Sequence, residues 1–259
     1  MRWLARRIGP CPVRYSCMLR AALMDVGGTL WPEHVTANMG IDPCVEQLGR
    51  LGPQVDATHA LTVLRRELQQ DTGSVVQDTH GLLARALRSL GRDWAELEVL
   101  AVRRALCAPA VPGVRLFPGA AELLTSCRRY GLRCVIVNNV QVRGALEYWR
   151  DFTDLGIAHL IDAVVTSLDV GLRKPRRAIF EAAIREAGCE PSACVMVGNS
   201  EVNDIQPAIA LGLRAIRVSI EEPPPASTAA HAVVTSLYDA VGFLGRWLET
   251  DDDWGYAKL

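Results

Sequence analysis

The stretch that decides the fold is Ala21-Ala22-Leu23-Met24-Asp25-Val26-Gly27-Gly28-Thr29-Leu30. Four apolar residues run directly into an acid, and a short apolar run bounded by glycine is typical of a strand buried on both faces. Asp25 would then lie at the carboxyl end of that strand, where open parallel sheets place their ligand sites. Gly27 and Gly28 permit a tight turn and let a ligand approach the backbone. On this stretch alone, Asp25 is equally well interpreted as the N-cap of a following helix.

The second half of the chain alternates between strand and helix patterns. Short apolar runs predict strands at 134–137, 163–166, 194–197, 214–219 and 232–235. Between and after them, helices are predicted over 121–130, 141–149, 177–187, 205–211 and 237–248. Such alternation predicts a parallel sheet covered by helices on both faces. The expected fold class is therefore α/β, with a doubly wound, Rossmann-like core.

An all-helical insert interrupts this core between the first and second predicted strands. Residues 33–113 contain no good strand pattern, and leucines at helical spacing, such as Leu61, Leu64 and Leu68, predict amphipathic helices. We expect a core formed by 18–32 and 114–250, a disordered N-terminal arm at 1–17 and an acidic tail at 251–259. Met18, just before the first strand, would make a natural start of the chain.

The composition is that of an ordinary globular protein. The 259 residues are 49% hydrophobic and 22% charged, with 28 Lys and Arg against 29 Asp and Glu. This balance does not indicate a nucleic-acid or membrane-surface partner, and no apolar run approaches the ~20 residues of a transmembrane helix. The eight cysteines form no CxxC pair and no Cys/His cluster at zinc spacing. They predict buried thiols in a reduced cytoplasm.

Polar side chains follow four of the predicted strands. Asp25 follows the first, Asn138-Asn139 the second, Lys174 the third, and Asn199 with Asp204 the fourth. The carboxyl ends of parallel strands meet at one edge of the sheet, so these groups should converge. A lysine there can stabilise an anion, and two carboxylates can hold a hard cation. A carboxylate can also act as a nucleophile toward an anion when a cation shields the negative charge of that anion.

In this order, the motifs resemble those of the haloacid dehalogenase superfamily, most of whose members are phosphatases. The family's Asp-x-Asp-x-Thr is similar to Asp25-Val26-Gly27-Gly28-Thr29, and its second motif to Asn138-Asn139. The third matches Lys174-Pro175-Arg176-Arg177-Ala178-Ile179-Phe180, and the fourth Gly198-Asn199-Ser200-Glu201-Val202-Asn203-Asp204. The resemblance covers residues 19 to about 219, and the helical insert stands where the family carries its cap.

The resemblance implies a role for each matching residue. Asp25 would be the nucleophile that forms an aspartyl intermediate, with Lys174 orienting it and Thr29 supporting the turn. The implied cofactor is Mg²⁺, held by Asp25, the backbone carbonyl of Gly27, Asn199 and Asp204. The implied pocket for a small anionic substrate is lined by Asn138, Asn139 and Gly28.

Three positions depart from the family pattern. Gly27 stands where the phosphatases carry the acid that protonates the leaving group, a contribution of roughly 10²–10⁴ in rate. Asn138 replaces a hydroxyl, and Asn199 replaces an acid that binds the metal. A substitute acid–base group could come from Glu33, His34, His59 or His80, although residues of these kinds are more often surface or helix-packing residues than catalysts. Four arginines, which could bind an anion or simply form a solvated helical face, are Arg65, Arg66, Arg103 and Arg104.

Three functions remain open at this point. The first is a Mg²⁺-dependent phosphatase acting on a small organic phosphate. The second is a metal-free, substrate-assisted or dehalogenase-like enzyme on the same scaffold, which keeps Asp25 and Lys174. The third is a non-catalytic binding protein, which explains the departures most simply but not the retention of Asp25, Thr29, Lys174 and Asp204. The sequence leaves the oligomeric state open.

Overall fold

The computed structural model describes residues 18–38, 41–50, 56, 59–60, 62–64, 66, 79–90, 93–109 and 113–249. The predicted arm at 1–17 and tail at 251–259 lie outside these residues, as do Leu61, Arg65 and Leu68. The predicted start at Met18 stays a prediction.

Six parallel strands form one sheet in the order β3-β2-β1-β4-β5-β6. They are β1 (Ala21–Met24), β2 (Arg133–Asn138), β3 (Ala163–Thr166), β4 (Cys194–Gly198), β5 (Arg214–Val218) and β6 (Ala232–Val234). β1 lies in the middle, where Met24 pairs with Ile136 of β2 and Val197 of β4. This order is that of a doubly wound sheet whose ligand crevice opens beside the first strand. All six strands, and the α/β class, agree with the sequence prediction.

Helices cover both faces of the sheet, because successive strand residues point to opposite sides and both sides are apolar. One face, carrying Met24 and Ile136, packs against α5 (Ala120–Arg129), α6 (Ala145–Asp154) and α10 (Leu237–Glu249). The other face, carrying Leu23 and Val135, packs against α8 (Arg177–Ala187) and α9 (Gln206–Ala210). A four-residue helix, α7 (Ser167–Val170), follows β3, and a π-helical turn spans Glu201–Ile205 before α9.

The predicted helix over 141–149 is wrong in its position, since α6 begins at Ala145. One long-range contact and one local capping contact set this start. The Ala145 N–H donates to Asp169 Oδ2 at 3.0 Å, and the Gly144 N–H donates to Glu147 Oε2 at 2.8 Å. Arg143, just before the helix, is buried and paired with Asp151. The residues before Ala145 are therefore held by side chains that local periodicity does not reveal.

The described part of the insert is helical, as predicted. Its helices are α1 (Glu33–Asn38), α2 (Ile41–Arg50), α3 (Thr79–Arg88) and α4 (Glu96–Leu106). α2, α3 and α4 share a separate apolar cluster, which also takes in Leu64 and includes Leu48, Leu83, Leu87 and Val102. Val35 of α1 packs instead against the core. The insert rejoins the core through Cys107, whose thiol lies 3.6 Å from the Val142 carbonyl, and through Arg143, which donates to the Ala108 carbonyl. The domain bounds 33–113 stay a prediction.

The described cysteines carry free thiols, and most of them are buried. Among the described residues, no helix is both long and apolar enough to cross a bilayer. The cytoplasmic location predicted from the cysteines stays a prediction.

Candidate active site

The amino group of Lys174 connects the ends of three strands. Nζ donates to Asp25 Oδ1 at 2.6 Å, to Asp204 Oδ1 at 2.7 Å and to the Val137 carbonyl at 2.9 Å. Lys174 is only 4% exposed, and Asp25 and Asp204 are also buried. The structure thus brings together the lysine and the two carboxylates that the sequence places far apart.

Burial and the neighbouring opposite charges shift the pKa values of this cluster in opposite directions. Burial alone lowers the pKa of Lys174, but the facing carboxylates of Asp204 and Asp25 outweigh it, and the pKa lies above its usual value. Burial raises the pKa of Asp204 to about 6, against the opposing charge of Lys174 and a hydrogen bond from the Ser200 N–H. Lys174 is therefore a permanent cation here, because losing its proton would leave two carboxylates unpaired in the interior.

The turn after β1 holds the Asp25 carboxylate in place. Thr29 is fully buried, and its hydroxyl donates to Asp25 Oδ2 at 3.1 Å. Gly28 has φ of +69°, and a Cβ there would meet Asn199 Nδ2 at 2.1 Å. The Gly28 N–H already donates to the Trp31 carbonyl at 2.7 Å. Gly28 therefore permits the turn and the close approach of Asn199, while its predicted role in substrate binding stays a prediction.

Asn138 is the last residue of β2 and Asn139 follows it, and their side chains make different contacts. Asn138 is 4% exposed, and its Nδ2 makes no hydrogen bond of normal geometry among the residues that the structure describes, although its amide interacts with the Tyr148 side chain. A buried N–H without a well-formed hydrogen bond is suited to donate to an anion. Asn139 instead binds the backbone of Lys174 through both ends of its amide. The predicted contact of Asn139 with substrate stays a prediction.

These groups line one cavity of about 270 Å³. Its lining comprises Asp25, Gly27, Glu33, Asn138, Asn139, Lys174, Asn199, Ser200, Asn203 and Asp204. Two of these, Ser200 and Asn203, were not singled out from the sequence, although they stand within the fourth motif. The Ser200 N–H donates to Asp204 Oδ2 at 2.9 Å, and its hydroxyl accepts from the Asn203 N–H at 3.1 Å. The start of the π-helical turn thereby holds Asp204 toward Lys174.

Among the candidate acid–base groups of the insert, Glu33 lines this cavity, and His34, His59 and His80 are absent from its lining. His80 lies 3.1 Å from Glu96 within the insert. Of the candidate arginines, Arg65 lies outside the described residues, and Arg66, Arg103 and Arg104 do not line the cavity either.

The donor atoms of the cavity fit a hard cation. Asp25, Asp204, the Gly27 backbone and the Asn199 amide all line it, and Mg²⁺ prefers such oxygen ligands. Each carboxylate oxygen that accepts a hydrogen bond here keeps a further lone pair. The described residues contain no cluster of three or more His, Cys, Asp or Glu side chains arranged as metal ligands. A cation would therefore need the Gly27 backbone oxygen and the Asn199 amide oxygen as ligands, in addition to the two carboxylates.

Comparison with known proteins agrees with this geometry. The chain belongs to the haloacid dehalogenase-like hydrolase family, whose model matches residues 19–212. The membership predicted from the four motifs is thereby confirmed.

The chain is similar to several curated phosphatases. It is 30% identical to the glyceraldehyde 3-phosphate phosphatase of Methanothermobacter thermautotrophicus, over 79% of this chain and 87% of that protein. It is 26% identical to the ribulose-1,5-bisphosphate 5-phosphatase of Halopiger xanaduensis, over 84% of this chain and 92% of that protein. Among solved structures, the 2-haloacid dehalogenase of Pseudomonas syringae matches with a TM-score of 0.69 at 21% identity, over 89% of this chain and 100% of the other. That likeness supports the fold.

Proposed function

We propose that this chain is a Mg²⁺-dependent phosphatase that cleaves a small organic phosphate through a covalent intermediate on Asp25. The observation that carries the proposal is the position of Lys174 Nζ, 2.6 Å from Asp25 and 2.7 Å from Asp204 in one cavity. Relatives that are named phosphatases and align over most of their length support the same reaction class.

The reaction begins with attack of an Asp25 carboxylate oxygen on phosphorus. The phosphorus–oxygen bond to the substrate's alcohol breaks, and the phosphoryl group stays on Asp25 until water releases it as phosphate. Lys174 offsets part of the negative charge on the two carboxylates and fixes the orientation of Asp25. The buried Asn138 N–H donates to a phosphoryl oxygen, which gives this N–H a well-formed hydrogen bond.

Charge balance supports a cation in the cavity. Among the described residues, three carboxyl side chains line it against the one ammonium of Lys174, and a phosphate ester adds further negative charge. Asp25, the Gly27 carbonyl, Asn199 and Asp204 would hold Mg²⁺. When bound, the ion supplies positive charge that reduces repulsion between a carboxylate nucleophile and a phosphate.

The volume of the cavity supports a small substrate. About 270 Å³ accommodates a phosphoryl group with a few carbon atoms, which is the class named for the glyceraldehyde 3-phosphate and ribulose-1,5-bisphosphate phosphatases. We infer that phosphorylated sugars of similar size are the substrate class of this chain.

Release of inorganic phosphate from glyceraldehyde 3-phosphate, ribulose 1,5-bisphosphate and p-nitrophenyl phosphate, each with and without Mg²⁺, tests the proposal. We expect Mg²⁺-dependent release by the wild type and none by Asp25→Asn. Asp154→Asn, the same change at an exposed position at the end of α6, should keep full activity. Equal activity of Asp25→Asn and wild type would contradict the proposal. Binding of a phosphate analogue without any turnover would favour a non-catalytic binding protein.

A further inference from the structure

The cavity needs a proton donor for the leaving group, and its described lining provides few candidates. An alcohol is a poor leaving group unless its oxygen receives a proton as the bond to phosphorus breaks. Gly27 lines the cavity but contributes only backbone. Among the described lining residues, carboxyl groups belong to Asp25, Asp204 and Glu33, and the only ammonium belongs to Lys174.

Three of these four groups are already hydrogen-bonded within one cluster. The Lys174 ammonium donates one hydrogen bond to Asp25 and another to Asp204, so these protons are held within the cluster. Asp204 is also 1% exposed, so it has little access to the leaving group. Glu33 differs, since it is exposed to solvent on one side while its carboxylate borders the cavity.

The backbone of Glu33 is fixed to the core of the protein. Its N–H donates to Glu221 Oε2 at 2.9 Å, in the loop after β5. Its Oε2 lies 3.4 Å from the place that a Cβ on Gly28 would occupy. The carboxylate therefore lies beside the turn that follows the proposed nucleophile, and Asp25, Gly27 and Glu33 border the same cavity.

We propose that Glu33 is the general acid and base of this enzyme, replacing the function of the side chain that Gly27 lacks. The inference rests on the proposed phosphatase function. In the first step Glu33 gives its proton to the ester oxygen as the phosphorus–oxygen bond breaks, leaving an alcohol, an aspartyl phosphate and a Glu33 carboxylate. In the second step Glu33 takes a proton from the attacking water, the bond from phosphorus to Asp25 breaks, and phosphate leaves.

The electrostatic surroundings of Glu33 favour this role. Burial on the cavity side, followed by the negative charges of Asp25 and Glu221, raises its pKa above the usual value for a glutamate. The charge of Lys174 opposes the shift, and that of Asp204 adds to it. A raised pKa increases the protonated fraction near neutral pH, as a general acid requires.

Glu33→Gln tests the proposal through the dependence on the leaving group. For glycerol phosphate, whose alcohol must be protonated, we expect kcat to fall about 10²–10⁴-fold. Nitrophenolate leaves without a proton, so Glu33→Gln should still release a rapid burst of about one nitrophenolate per chain from p-nitrophenyl phosphate. Steady turnover should then be slow, because water attack lacks its base.

Two further variants make the result specific. Glu33→Asp keeps an acid and should recover part of the activity on glycerol phosphate. Glu222→Gln, the same change at an exposed residue that does not line the cavity, should behave as wild type. Loss of the rapid nitrophenolate burst in Glu33→Gln, or an unchanged kcat on glycerol phosphate, would overturn the role of Glu33 while leaving the phosphatase proposal intact. Absence of turnover by the wild type on every phosphate would overturn both.

Discussion

Asn139 holds the backbone of Lys174 with both ends of its side-chain amide. Its Oδ1 accepts from the Lys174 N–H at 2.8 Å, and its Nδ2 donates to the Lys174 carbonyl at 3.0 Å. The two residues are 35 positions apart, so this pair links the end of β2 to the loop before α8. The Lys174 ammonium contacts the two carboxylates of the site. By holding the Lys174 backbone, Asn139 therefore determines where that ammonium lies.

Asn139→Leu should therefore damage the site through Lys174. The leucine side chain is similar in size to that of asparagine but makes neither hydrogen bond. We therefore expect the free energy of unfolding to fall by about 1–3 kcal/mol. With Lys174 displaced, kcat should fall about tenfold or more, while KM changes little. Urea denaturation and steady-state kinetics on a phosphate ester measure the two effects.

Asn139→Asp is the matched variant, because it keeps the acceptor for the Lys174 N–H and loses the donor to its carbonyl. We expect an intermediate loss of stability. A rise in KM with unchanged kcat in either variant would instead support direct substrate binding by Asn139, as the sequence predicts.

The sequence predicts the scaffold well, because the scaffold depends on local patterns, and the polar residues that follow the strands line one cavity. Apolar runs ending in Asp25, Asn138 and Gly198 define strands, and the parallel topology brings their ends together. The sequence does not predict the hydrogen bonds of Asn139 or the start of α6 at Ala145. Each depends on a partner that is distant in sequence. Glu33 is only one of four candidate acid–base groups in the sequence, because spacing alone does not distinguish it from a surface acid.

Gly28→Ala should disturb the site beyond its effect on the turn. The residue has φ of +69°, and the added Cβ would meet Asn199 Nδ2 at 2.1 Å. The left-handed conformation alone costs about 1–2 kcal/mol for alanine. The displaced Asn199 should also weaken Mg²⁺ binding, measured by calorimetry.

Gly131→Ala is the control for backbone strain. Gly131 has φ of +72°, with nothing within 4 Å of the added Cβ. It should lose similar stability in thermal denaturation and keep wild-type Mg²⁺ affinity. If Gly28→Ala and Gly131→Ala bound Mg²⁺ equally well, Asn199 would have no part in the cation site.

Mg²⁺ and a phosphate mimic should bind to this cavity cooperatively. Three carboxyl groups against one ammonium repel an anion, so orthovanadate should bind weakly alone and more tightly with Mg²⁺ present. Asp204→Ala should weaken Mg²⁺ binding, and Asp154→Asn should not. Isothermal titration of each ligand with and without the other gives the coupling. Independent binding of the two, or binding of neither, would favour metal-free chemistry or a binding protein.

The stability of the core should depend on the protonation of His231. The imidazole Nδ1 accepts from the Ala215 N–H of β5 at 3.1 Å, and a protonated ring cannot accept this bond. Burial and then the charge of Arg214 lower the pKa of His231 below its usual 6.5. The unfolded chain therefore binds this proton more tightly, and the free energy of unfolding should fall as the pH drops through about 6.5. Since the ring is partly exposed, the loss should stay below about 1 kcal/mol.

Asp204 titrates in the same range with the opposite sign, since burial raises its pKa to about 6 and its protonation favours the folded state as the pH falls. The effect of His231 is therefore isolated by comparison with His231→Gln, which cannot titrate and should lose less stability between pH 7.5 and pH 5. His159→Gln, at an exposed histidine, should follow the wild type. Urea denaturation at each pH measures all three proteins. Parallel pH profiles for wild type and His231→Gln would show that the bond to Ala215 does not couple protonation to stability.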